Sequence, residues 1–173
     1  GDIVRSALRR AGFLLSALFS YWVYVRFFEK REVAEIHIAP AGIALGVLSG
    51  ALLISLTTLS LFAFGIYEAT SVRGVQSGLL GVAGVILVAA MLEEIVFRGI
   101  LFRILENAWG TVPALWLGSV IFAVLHLGNI EGAGLTAAVT TVVSGTLIGA
   151  FWTMIFVHSR NLWVVGTHHA AWN

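Results

Sequence analysis

The sequence predicts an all-α fold, a polytopic transmembrane helical bundle of about five or six membrane helices with no soluble domain. Two observations carry the prediction. Of the 173 residues, 59% are hydrophobic and only 11% charged, against roughly 25% charged in soluble domains. The mean hydropathy is +0.97, and the apolar residues are gathered into long runs divided by short polar connections. Residues 1–173 read as one transmembrane domain, with N-terminal helices in 1–74 and the motif-bearing helices in 75–173. The start at Gly1 and the unfinished apolar segment at Asn173 read as cut ends.

A basic lead-in, Asp2 to Arg10, precedes an apolar stretch from Ala11 to Val25 that carries Tyr21, Trp22 and Tyr24 near its far end. About fifteen residues at roughly 1.5 Å each fall short of a hydrocarbon core of roughly 30 Å. The segment therefore either spans with Arg9, Arg10 and Arg26 snorkelling, or lies in the interface as an amphipathic anchor. No small-residue cleavage site follows it, so no signal peptide is evident. Glu29 to His37 mixes Glu29, Lys30, Arg31, Glu32 and Glu35 at spacings that allow pairing along a helical turn, and reads as a solvated surface helix.

Pro40 opens a long apolar run to Tyr67, enough for a complete span. Gly42, Gly46 and Gly50 recur along it every fourth residue, a ridge suited to close packing against another helix. Glu68 to Gly74 is a polar connection containing Arg73, and Val75 leads into a central helix through Gly78, Gly81 and Gly84. That helix should continue past Arg98 toward Arg103 and Glu106, since only Gly99 weakens it. Pro113 starts the next helix, Ala114 to Leu127, and a loop from Gly128 to Gly134 contains Glu131. Leu135 to Val157 spans again, His158 to Asn161 turns, and Leu162 begins a final helix reaching Asn173.

The formal net charge is +1, and the ten basic residues form no stripe, which excludes a nucleic-acid partner. With no cysteine there is no disulfide framework, thiolate site or cysteine nucleophile. The informative residues are polar ones placed where hydrocarbon should be, since buried acids and histidines are costly unless paired or used. Glu93 and Glu94 are adjacent and point about 100° apart on a helix, whereas Glu94 and Arg98 at i, i+4 share a face and can form an ion pair. One carboxylate, Glu93, is left needing an answer from another helix.

Phe122 and His126 form a second i, i+4 pair, with the ring placed to wall a pocket beside the imidazole; His126 reads equally as a cap or interface residue. His169 and Asn173 form a third, two hydrogen-bond donors on one face, as a developing oxyanion requires; Asn173 reads equally as a frayed cap. His168 points away and reads as a contact residue behind the site.

Elimination narrows the chemistry. The only aspartate is Asp2, so a paired-aspartate protease is excluded. Neither H-E-x-x-H nor a serine elbow occurs. A glutamate, two histidines and an asparagine on three helices suit hydrolysis with water as nucleophile and the glutamate as its base.

These residues resemble the CAAX protease and bacteriocin-processing family of membrane proteins, also called Abi. Glu93-Glu94-Ile95-Val96-Phe97-Arg98 is similar to its E-E-x-x-x-R motif, and Phe122 to His126 to its F-x-x-x-H motif. Ser159 to Trp163 followed by His169 to Asn173 resembles its H-x-x-x-N or H-x-x-x-B box. The resemblance covers the second half of the chain. It implies an intramembrane glutamate-dependent endopeptidase acting near the end of a membrane-anchored or prenylated protein, in the plasma membrane or another cellular membrane. It further implies that Glu93 and His126 activate the water, that His169 and Asn173 hold the oxyanion, and that Glu94, Arg98 and Phe122 support them. No cofactor is implied. Two other readings stand beside it: a divalent metal held by Glu93, His126 and His169, and a non-catalytic scaffold or immunity partner whose polar residues only lock helices together. A proton-relaying transporter fits less well, because no inverted repeat is present.

Overall fold

The computed structural model describes residues 2–71, 74, 78–130, 132 and 134–173, and among them every regular element is helical. Helix α1 (Asp2–Val23) runs into a π-helical turn, Tyr24–Glu29. Next come α2 (Pro40–Ala63), α3 (Leu79–Glu94), a longer π-helical segment (Ile95–Phe102) and α4 (Arg103–Trp109). The second half of the chain adds α5 (Thr111–Leu125), a 3-10 turn (His126–Ile130), α6 (Gly134–Ser159) and α7 (Leu162–Trp172). Among the described residues, five continuous helical stretches are long and apolar enough to cross a membrane: Arg5–Glu29, Pro40–Ala63, Leu79–Trp109, Thr111–Ile130 and Gly134–Ser159. With Leu and Val side chains exposed along their outer faces, the protein is a multi-pass integral membrane protein.

The first stretch is longer than its apolar core suggested. Helix geometry extends through the basic flank from Arg5 to Glu29, 25 residues, or about 37 Å at 1.5 Å per residue. The central helix continues through Arg98 as expected, but it does so by loosening to π geometry immediately after Glu94. Such segments are frequent at functional sites because the extra residue per turn re-aims side chains. Gly99 sits within it for close approach: a Cβ there would lie 2.9 Å from the Tyr21 ring, and the Tyr21 hydroxyl donates to the Gly99 carbonyl at 3.3 Å.

Helix α7 is packed among α2, α3 and α6. Small residues make that position possible. The Gly42, Gly46 and Gly50 ridge of α2 faces α7, where added methyl groups at Gly46 and Gly50 would overlap the carbonyl oxygens of Val164 and His168. From the other side Gly166 accommodates Met91 of α3, whose sulfur a Cβ would overlap.

Several expectations need correction. Residues 30–39 are irregular rather than a surface helix, and Glu35 is buried at 3% exposure. Its carboxylate pairs with Arg31 and with Arg103 of α4, and its carbonyl accepts from the Leu162 N–H at 2.7 Å. Partial burial works against the Arg31 cation, yet its hydrogen bonds to Glu35 and Glu29 outweigh burial and raise its pKa. The charges are thus used to fasten this segment to α4 and to the start of α7, which a helix pointing into solvent could not do. Helix α2 ends at Ala63 and not Tyr67, because Gly65 takes a left-handed conformation (φ +68°) in a turn that returns the N–H groups of Ile66 and Tyr67 to Leu61. Helix α5 ends at Leu125, and the expected loop after it is partly 3-10 helix. Arg73, the helix entry at Val75 and Glu131 lie outside the described residues.

Candidate active site

Helix arithmetic brings the motifs to one level. Glu93 and Glu94 lie near the middle of the Leu79–Trp109 stretch, with about 20 Å of helix on either side. The chain reverses at Gly110 (φ +84°), and Glu94 and His126 stand equally far along the chain before and after it. A second reversal at Arg160, also left-handed (φ 47°), gives Trp152 and His168 the same relation. Asn161 secures that turn: its side-chain oxygen accepts from the N–H groups of Trp163 and Val164 at the start of α7, and its amide donates to the His37 carbonyl at 2.9 Å.

Glu94 is fully buried. One of its oxygens, Oε1, accepts from Arg98 at 2.9 Å and from His169 Nδ1 at 2.8 Å. A carboxylate at this position accepts only, so Nδ1 of His169 carries the proton. Arg98, also buried, donates in addition to the Gly149 carbonyl at 2.8 Å and the Thr153 hydroxyl at 3.3 Å of α6. Its guanidinium carbon stands 5.1 Å from the Phe122 ring centre and 5.7 Å from that of Trp152. The expected i, i+4 ion pair therefore forms, and it joins the central helix to α6, while Glu94 joins it to α7.

Glu93 is placed differently. Its side chain is 35% exposed, and its Oε2 lies 3.8 Å from Nε2 of His169, outside hydrogen-bond reach. Glu93, His126, His169 and Asn173 all line one cavity of about 420 Å3. Phe122 and Trp152 wall it, with Thr141, Ser144 and Ile148 of α6 along one side. His126 caps α5 and gives its Nδ1 proton to the Phe122 carbonyl at 2.7 Å, which leaves Nε2 as the basic nitrogen. Its ring packs 4.3 Å from that of Phe122. The seven residues singled out by motif are thus brought together, five on the cavity wall with Glu94 and Arg98 behind it, and Phe122 touches both His126 and Arg98. Among the described residues no group of three His, Cys, Asp or Glu side chains is arranged to hold a metal ion.

Sequence reasoning overlooked Trp152. Its indole stacks on His169 with centres 3.6 Å apart and planes 24° from parallel, and its Nε1–H donates to Nδ1 of His168 at 3.3 Å. His168 is buried, in keeping with a role behind the site. The equal spacing of Trp152 and His168 about the Arg160 turn is the one signal in the sequence that points to the contact.

A family model described as Type II CAAX prenyl endopeptidase Rce1-like matches residues 75–173. No curated protein and no solved structure matches the chain. The match covers more than half of the sequence and contains both glutamates, Arg98, Phe122, His126, His169 and Asn173. The chain belongs to the Rce1-like family of type II CAAX prenyl endopeptidases.

Proposed function

We propose that this membrane endopeptidase hydrolyses a peptide bond of a membrane-anchored or prenylated protein with a water activated by Glu93. The observation that carries the reading is the division between the two acids. Glu94 is buried and committed to Arg98 and His169, whereas Glu93 is part-exposed in a cavity shared with His126, His169 and Asn173.

In the proposed reaction Glu93 takes a proton from water while Nε2 of His126 accepts a hydrogen bond from it. The oxygen adds to the scissile carbonyl, and the charge that develops on the carbonyl oxygen is met by donors from Nε2 of His169 and the Asn173 amide. Collapse breaks the C–N bond; the amine leaves with the proton held by Glu93, and the proton still on the new carboxylic acid passes to the freed amine, so that the products are a carboxylate and an ammonium. Because Nδ1 of His169 already donates to Glu94, donation from Nε2 requires both ring nitrogens to be protonated, with Glu94 as the counter-charge once Glu93 holds the water's proton. No cofactor is needed for this sequence of steps; the reading that places a divalent metal at Glu93, His126 and His169 is decided by metal analysis and chelator sensitivity of the purified protein.

The test is cleavage of a prenylated peptide in detergent or proteoliposomes. Glu93→Gln and His126→Ala should each lower kcat by about 10²- to 10⁴-fold. Undiminished turnover in either variant sinks the mechanism. A purely structural role for the polar residues would instead give a wild type that cleaves nothing and a Glu93→Gln variant that is strongly destabilised.

A further inference from the structure

A histidine that donates to an oxyanion must have its ring plane fixed as well as its position. The hydrogen bond from Nδ1 of His169 to Glu94 sets one direction in that plane. It leaves the imidazole able to swing about the Nδ1···Oε1 line, which would carry Nε2 away from the cavity. The indole of Trp152, 3.6 Å from the ring and nearly parallel to it, removes that freedom.

Trp152 is itself held. Its Nε1–H is tied to His168 at 3.3 Å, and the edge of Phe122 abuts it with centres 5.9 Å apart and planes at 89°. Resting on the proposed mechanism, we infer that Trp152, braced by His168, is the positioning residue that sets the imidazole plane of His169 so that Nε2 faces the reaction. The two adjacent histidines of α7 then have distinct tasks: His169 faces the cavity, and His168 holds the group that aligns it.

The experiment measures kcat and KM for prenyl-peptide cleavage, with thermal unfolding in the same detergent, for Trp152→Phe, Trp152→Leu, His168→Leu and the Trp152→Phe/His168→Leu pair. Leucine fills part of the volume but offers no ring face, so kcat should fall about 10²-fold, as expected for loss of near-attack alignment, with KM within about twofold. Phenylalanine restores the face and should recover most of the rate, leaving a loss of about three- to tenfold from the missing N–H. His168→Leu should cost a similar factor in the wild type and almost nothing in Trp152→Phe, because the bond it accepts is already gone.

A Trp152→Leu enzyme within about threefold of wild type, or Trp152→Phe and His168→Leu losses that multiply, would overturn the inference. If Trp152→Leu does not fold, the Phe/Leu cycle decides. His169→Ala separates the two levels: an inactive His169→Ala beside an unaffected Trp152→Leu removes Trp152 alone. A wild type without cleavage, or an active His169→Ala, removes the proposed mechanism together with the inference.

Discussion

Replacing Arg98 by methionine keeps most of the side-chain volume and removes the charge, so its effect isolates the buried electrostatics. Three hydrogen bonds are lost, to Glu94, Gly149 and Thr153. Polar contacts between membrane helices average near 0.6 kcal/mol, so the three bonds alone account for about 2 kcal/mol. The charge left behind matters more: Glu94, at 0% exposure, keeps its carboxylate in a site that has lost its permanent cation. Removing one partner of a buried pair costs about 3–5 kcal/mol. The lower end applies here because His169 still donates to Glu94. A loss of about 3 kcal/mol corresponds to a fall in Tm on the order of 10 °C for a chain of this size. Thermal unfolding in detergent measures it. Adding Glu94→Gln should recover part of the loss, since the stranded charge is then gone. An Arg98→Met protein that melts within about 3 °C of wild type, or a double variant less stable than Arg98→Met alone, would refute the idea that the pair is a buried electrostatic unit.

Other expectations can be read by thermal unfolding, turnover and amide exchange. Gly46→Ala drives a methyl group into Thr167 and the Val164 carbonyl, so it should destabilise by about 1–3 kcal/mol; Gly118→Ala, with open space around it, should be neutral or gain up to about 1 kcal/mol. Asn173→Ala should lower kcat about 10²- to 10³-fold while Tm stays put, because Asn173 is exposed. Asn161→Ala removes the cap of α7 and the bond to His37; a loss of about 1–2 kcal/mol is expected, with faster amide exchange in residues 30–39 as the local readout. Arg103→Met should loosen the same segment by leaving Glu35 with Arg31 as its one cationic partner among those described, and unchanged exchange there would show that the loop is held by other contacts.

A helix such as Pro40–Ala63 was legible because it is apolar over its whole length and needs no partner to declare itself. The i, i+4 pairing of Glu94 with Arg98 was legible for the same reason: it depends on one helix and its repeat. Even the α2 glycine ridge announced close packing, although not that α7 would be the neighbour.

Contacts between helices were a different matter. Charge density alone made Glu29 to His37 look solvated, and only the meeting of Arg31, Arg103 and the α7 turn explains why Glu35 is buried. Glu94 is the clearest case. Within its own helix it has one partner, Arg98; in the bundle it has a second, His169, which makes it a link between the central helix and α7. Trp152 is one more apolar residue in an apolar run until the Arg160 turn folds it onto both histidines. A helical repeat is local and written in consecutive residues, so the membrane spans and the three motif faces follow from the chain order. The facing of one helix upon another is set by which small residues let backbones approach and which polar groups find partners, and only the assembled bundle decides that Glu94 is enclosed while Glu93 is left facing the cavity.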